Sequence, residues 1–172
     1  MSNSGMQIPI PPTKSAMVSM KVLNDGMLES CQSNLSLRTK QHEAQRRFLS
    51  DAKRIISRAR GSSRSGQTSF GEALLRAEVL YRELNSTIEQ NHEIVYKWRR
   101  ELDMIKKIMK PGRALWNTDL AQANGALREF DDGMVKIARD MFDPNVKKIE
   151  RKRGELSKLL KSIRNTTRNP NQ

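Results

Sequence analysis

Phe70, Leu74, Ala77, Tyr81, Leu84, Ile88, Asn91, Val95, Trp98, Leu102, Ile105 and Met109 follow one another at alternating steps of four and three. Eleven of these twelve positions are apolar, so the run reads as a single helix face packed along a partner helix over residues 69–110. At 1.5 Å per residue that helix is a rod of roughly 60 Å, far longer than a compact small domain needs. A chain built on it must be elongated. Asn91, the one polar member of the seam, either fixes register and partner number at a cost in stability or marks a wet spot.

The rest of the chain supplies helices to pair with this rod. Residues 15–60 form a first helical stretch, with Leu28, Leu35, His42, Leu49 and Ile56 spaced by seven and Cys31, Ala52 and Ala59 three residues further on. Its seam is imperfect, because only Leu37 and Ala44 are apolar between Ser36 and Arg47. That middle is expected to be weakly buried or to face a polar partner. The loop "RGSSRSGQTS" then precedes Ser69 and Glu72, which have the spacing of a capping box. Pro111-Gly112 ends the second helix, because proline cannot continue the ladder and glycine tolerates the turn.

Trp116, Leu120, Ala123, Leu127, Phe130, Met134, Ile137 and Met141 resume the alternation, which predicts a third helix over 118–142. The seam then shifts by one residue to Phe142, Val146, Ile149, Leu156, Leu160 and Ile163. Asp143-Pro144 has the form of a cap and first helical position, so residues 144–164 are a fourth helix or a kinked continuation, with a polar tail over 165–172. Residues 1–14 are an extended arm. Its prolines Pro9, Pro11 and Pro12 restrict the backbone, and Ile8, Pro9, Ile10, Pro11 and Pro12 could dock on a neighbour. The expected fold is all-α: an elongated antiparallel helical hairpin or coiled-coil bundle of three to four long helices with an extended N-terminal arm.

Charge adds direction. The chain carries a formal +13, which attracts nucleic acid, an anionic membrane surface or an acidic protein face. The sign alternates along the chain: +6 over residues 46–64, −3 over 70–96, +5 over 97–113, −3 over 119–143 and +7 over 144–168. Antiparallel hairpins would set basic blocks beside acidic ones, giving most of the cations in 46–64 an internal partner. The surplus falls on the last helix, whose +7 block has no acidic block after it. Candidate contacts for an acidic partner or phosphate are Arg54, Arg58, Arg60, Arg64, Lys147, Lys148, Arg151, Lys152, Lys158, Lys161 and Arg164.

Chemistry-bearing patterns are sparse. Glu89 and His92 make one Glu-x-x-His, half of what a di-iron bundle uses, and both are expected to face solvent. There is no Gly-rich phosphate loop, HExxH motif or nucleophile elbow. One cysteine, Cys31, excludes an intrachain disulfide. No cofactor or metal is expected, and neither a secretory leader nor a membrane span is visible, which suits a soluble, intracellular protein or a component of a large assembly such as a virion.

The expected role is non-enzymatic: a structural subunit that bridges other subunits as a homo- or hetero-oligomer. Its partner seam would be drawn from Phe70, Leu74, Tyr81, Leu84, Ile88, Asn91, Trp98, Leu102, Trp116, Leu127 and Phe130. Nonspecific nucleic-acid binding through the basic helix ends is the alternative, and peripheral binding to an anionic membrane the third.

Overall fold

The structure is a computed structural model that describes residues 13–62, 68–109 and 117–168. Within them α1 spans Lys14–Arg60, α2 Thr68–Ile108 and α3 Asn117–Ile137, and a π-helical turn, Ala138–Phe142, leads directly into α4, Asp143–Arg168. No strand occurs among the described residues. Thr13 caps α1, its hydroxyl accepting from the Ala16 N–H at 3.3 Å. Ser69 lies inside α2 rather than ahead of it, so it does not hold the cap position its spacing to Glu72 suggested. At the other end, α4 continues past Arg164 to Arg168. The N-terminal arm with Ile8, Pro9, Ile10, Pro11 and Pro12, the loop carrying Arg64, and the Pro111-Gly112 turn with Trp116 lie outside the described residues.

Side-chain pairs fix the directions. His42 meets His92 and Arg60 meets Glu78, so α1 and α2 run antiparallel. Asn145 meets Asn91 and Lys152 meets Glu83, so α2 and α4 do too. The Asn24 amide donates to the Leu120 carbonyl at 3.0 Å and Arg38 pairs with Asp143 at 2.8 Å, so α1 runs parallel to α3 and α4. The result is an all-α, three-rod bundle with up, down, up topology, α2 packing closely against both of the other rods.

Its core comes in two apolar segments. One holds Leu49, Ile56, Phe70, Leu74, Leu84, Ile88, Ile149, Leu156 and Ile163; the other holds Cys31, Leu35, Trp98, Leu102, Leu127, Phe130, Met134 and Phe142. Between them lies a polar layer in which His42, Gln45 and Asn91 are buried. Each apolar side chain sealed here contributes about 1.5–3 kcal/mol relative to exposure.

The π turn explains the seam shift. Buried positions step by four three times, from Met134 to Ala138, Phe142 and Val146, where an α-helical seam would alternate four and three. Asp143 N–H bonds to the Ala138 carbonyl, one residue beyond the α-helical partner. A wider turn there also relieves the clash that the Pro144 ring would make with the carbonyl four residues back. Consequently Met141, expected on the seam, is 53% exposed and Ile137 only partly buried, while Ala138 and Phe142 take their places.

Deleting Met141 with Pro144→Ala removes the extra residue and restores regular alternation from Met134 to Ile149. This variant is expected to melt cooperatively by circular dichroism. Deleting exposed Arg151 instead rotates every later side chain by about 100° and is expected to cost several kcal/mol. Equal damage from both deletions would show that the π turn is not a register correction.

Candidate functional site at the basic end

The up, down, up topology has an electrostatic consequence that sequence blocks taken in pairs do not reveal. The basic second half of α1 and the basic α4 lie side by side, both against the acidic first half of α2. Two cations reach across to α2: Arg60 Nε donates to Glu78 Oε1 at 2.5 Å, and Lys152 Nζ donates to Glu83. The hydrogen bond from Arg60 holds the Glu78 carboxyl below its ordinary range, and that from Lys152 does the same for Glu83.

The expectation that most of the basic stretch of α1 finds an internal partner is therefore corrected. Arg54 pairs with Asp51 of its own helix at 2.8 Å, while Arg46, Arg47, Lys53 and Arg58 form no ion pair. On α4, Lys147, Lys148, Arg151, Lys158, Lys161 and Arg164 are exposed and unpaired. The physical reason is arithmetic: two basic helices compete for a few carboxylates.

A groove opens between α1 and α4, facing away from α2. It consists of two adjoining hollows of about 490 and 480 Å³ that share Ile55 and Arg164 and are lined by α1 from Phe48 onward, by α4 from Ser157 onward and by Ser62 just beyond α1. Arg54, Arg58, Lys161 and Arg164 edge the hollows and Ile55 is half-buried between them, while Ala59, Leu160 and Ile163 form the floor and belong to the sealed core. At its inner end the Arg153 guanidinium lies 4.9 Å over the Phe48 ring and bridges the two helices.

The described residues of the expected partner seam lie elsewhere. Phe70, Leu74, Leu84, Ile88, Asn91, Trp98, Leu102, Leu127 and Phe130 are buried within the chain's own bundle, and Tyr81 is half-buried against the same core. They hold the three rods together. Asn91 sits where the two apolar segments meet, its Oδ1 accepting from Asn145 Nδ2 at 3.0 Å. In the same layer His42 Nε2 is 3.1 Å from His92 Nδ1, so His92 is half-buried rather than solvent-facing, while Glu89 is exposed.

Residues that pattern reading passed over complete this layer. Arg38 bonds Asp143 and lies 5.7 Å from the Trp98 centroid and 5.0 Å from that of Phe142. Gln45 is buried, and Asn145 supplies the amide of α4. A signal for them existed: Cys31, Leu35, Arg38, His42, Gln45 and Leu49 keep the alternation of four and three without a break. The α1 seam is continuous and polar in its middle.

Comparison with protein-family models, curated proteins and solved structures returned no match. Among the described residues, no three His, Cys, Asp or Glu side chains are grouped to hold a metal ion, and no helix is long and apolar enough to cross a membrane. Burial, then the Asp131 carboxylate, pushes the Cys31 thiol up to about 11, which keeps it protonated. Cys31 is expected to resist iodoacetamide at about pH 8 and to react once urea unfolds the chain.

Burial, followed by His92 and Arg46, lowers the pKa of His42. The unfolded chain then takes up this proton at a higher pH than the folded one, so the stability it reflects is complete above about pH 6.5 and falls as pH drops through that value. The unfolding free energy is expected to decline on going from about pH 7.5 to 5.5, by at most about 1.4 kcal/mol per pH unit for this one proton, and the melting temperature with it. His42→Gln should flatten the slope; an unchanged slope would assign it to other groups.

Proposed function

We propose that this protein is a non-enzymatic assembly subunit, a helical rod that docks on an acidic partner through its basic end. The observation that carries this is the side-by-side placement of two basic helix halves whose exposed cations outnumber the carboxylates within reach. Ion pairs on a solvated surface contribute only about 0.2–1 kcal/mol each, so the internal pairs do little to offset the repulsion between α1 and α4. An acidic partner would relieve it. The rest of the architecture suits a spacer: long rods, two apolar segments, and a polar layer that fixes register.

Nucleic acid as the partner is favoured by one separate observation. Lys147, Lys148, Arg151 and Lys158 are exposed and unpaired along the outside of α4, away from the groove. Such a stripe could follow a phosphate backbone.

Fluorescence anisotropy of labelled poly-glutamate and of a labelled DNA duplex, each titrated with the protein from about 50 to 200 mM salt, separates these roles. The assembly role predicts poly-glutamate binding that weakens with salt and is lost when Arg58, Lys161 and Arg164 are reversed to glutamate. Preferential DNA binding whose salt slope flattens with Lys147→Glu, Lys148→Glu and Arg151→Glu would favour nucleic acid instead. Absence of binding to both at low salt would remove each of them.

A further inference from the structure

At the end of the bundle remote from the basic groove, α1 runs out alone. It is antiparallel to α2 with His42 beside His92, so Ile108, the end of α2, falls level with about Gly26, and about three turns of α1 extend past it. Asn24, whose amide ties α1 to the Leu120 carbonyl, is its first buried residue. No residue from Lys14 to Leu23 is buried.

This stretch is nonetheless apolar. Val18 is 64% exposed, Val22 66%, Leu23 51% and Met20 37%. Exposed apolar side chains gathered in this way mark a contact surface. At about 100° per residue, Val18 and Val22 lie on the side of α1 remote from Asn24, and therefore away from α3.

Charge narrows the occupant. Residues 14–29 carry Lys14, Lys21, Asp25 and Glu29, two charges of each sign, and none of the four has an ion-pair partner among the described residues. The remainder of the chain carries the full +13. Neither an acidic partner nor a phosphate backbone gains from a neutral face. Two copies of the chain repel one another least when they meet there.

The same residues are self-complementary. Two copies of α1, laid antiparallel about a two-fold axis beside Val22, set each Val18 over Gly26 of the other copy. Along the axis, Lys21 then comes within about 3 Å of Asp25 of the other copy, and Lys14 within about 1.5 Å of Glu29. Gly26 leaves room for this approach, since a Cβ there would meet nothing within 4 Å in its own chain. Nothing inside the chain offsets the roughly 1 kcal/mol that a glycine costs in an exposed helix interior. α2 and α3 do not obstruct the pairing, because both pack on the buried seam of α1.

From this geometry we infer that the N-terminal turns of α1 form a self-association surface, through which two copies of the chain pair antiparallel about a two-fold axis beside Val22. The basic ends of the two copies then point in opposite directions, about 110 Å apart from Arg60 to Arg60. Such a dimer presents an acidic-partner site at each extremity. The self-association surface and the basic-end role stand on different residues, and each survives the failure of the other.

Sedimentation velocity of the full chain, from low-micromolar to sub-millimolar concentration, tests this, with poly-glutamate binding followed in the same samples. The overlap of about 25 Å is short, so a dimer forming at micromolar concentrations, and no larger species, is expected. Its affinity should rise severalfold from about 50 to 300 mM salt, because screening weakens the repulsion between two +13 chains. Poly-glutamate binding falls over the same range. Val18→Glu with Val22→Glu should abolish the dimer while helicity and poly-glutamate binding are unchanged. Lys21→Glu should weaken it severalfold, and adding Asp25→Lys should restore it. With oxidised glutathione, Val22→Cys should cross-link the dimer, while Val18→Cys, about 12 Å from its mate along the axis, should not.

A monomer at every concentration and salt would overturn the self-association surface, and intact poly-glutamate binding would leave the basic-end role standing. A dimer that persists with Val18→Glu and Val22→Glu would place the contact elsewhere and overturn it too. Equal cross-linking through Val18→Cys, or a charge swap that restores nothing, would overturn the antiparallel pairing. Growth beyond a dimer would overturn the closed two-fold. A chain that stays monomeric yet floats with phosphatidylcholine vesicles, and ceases to do so with Val18→Glu and Val22→Glu, would assign the face to lipid instead.

Discussion

The burial of the α2 seam between two other helices is the constraint from which the remaining features follow. Leu84 and Ile88 are fully buried, and Trp98 and Leu102 are 1% exposed, because α2 is covered on one side by α1 and on another by α3 and α4. With connections too short to reverse a rod of this length, each neighbour of α2 must run antiparallel to it. The basic end of α1 and the basic α4 are then brought to the same end of the bundle. The apolar seam thus dictates the electrostatics, and the ion pairs to Glu78 and Glu83 follow from where the seam puts those helices. Surface pairs worth a few tenths of a kcal/mol each could not impose this topology against several buried leucines and isoleucines.

A seam of evenly spaced aliphatic residues leaves register loosely specified, since a shift of one heptad preserves most apolar contacts. The polar layer opposes such a slip. His42 meets His92, Asn91 meets Asn145, and Arg38 reaches Asp143 in a single alignment; sliding α1 by seven residues would break the His42–His92 and Arg38–Asp143 contacts together. The device carries a penalty, because His42 Nδ1, Gln45 Oε1 and Asn91 Nδ2 find no partner among the described residues, and a buried unsatisfied polar group costs about 1–3 kcal/mol. Polar seam positions that fix alignment at the expense of stability are well attested in helical assemblies. The π turn is complementary: it rephases the apolar face once, between Met134 and Val146, and thereby lets one continuous rod serve both apolar segments.

The helices and the identity of most core residues were legible because hydrophobic periodicity is a local signal. Met134, Phe142 and Val146 also revealed that the phase changes, though not by what means. A one-residue shift can be a break, a kink or a π turn, and only the backbone around Pro144 distinguishes them. The polar middle of α1 was obscured for a different reason: Arg38 and Gln45 occupy seam positions without being apolar, so hydrophobicity alone marks them as surface. Pairing charge blocks in sequence order correctly set α1 against α2, and it missed the parallel contact of α1 with α4, a pairing between segments about 100 residues apart. The groove and its unpaired cations exist only because of that contact.

Parallel placement of two like-charged helices is tolerated on a solvated surface, where salt screens charges beyond about 8–10 Å. It is less well tolerated where cations of both helices line one groove. Arg58, Lys161 and Arg164, which have no carboxylate partner, therefore raise the free energy of the unliganded chain slightly while adding nothing to its core. Residues whose only energetic effect on the free fold is repulsive lower the energy of a complex instead, since a carboxylate-bearing partner gains attraction and removes the repulsion in the same step.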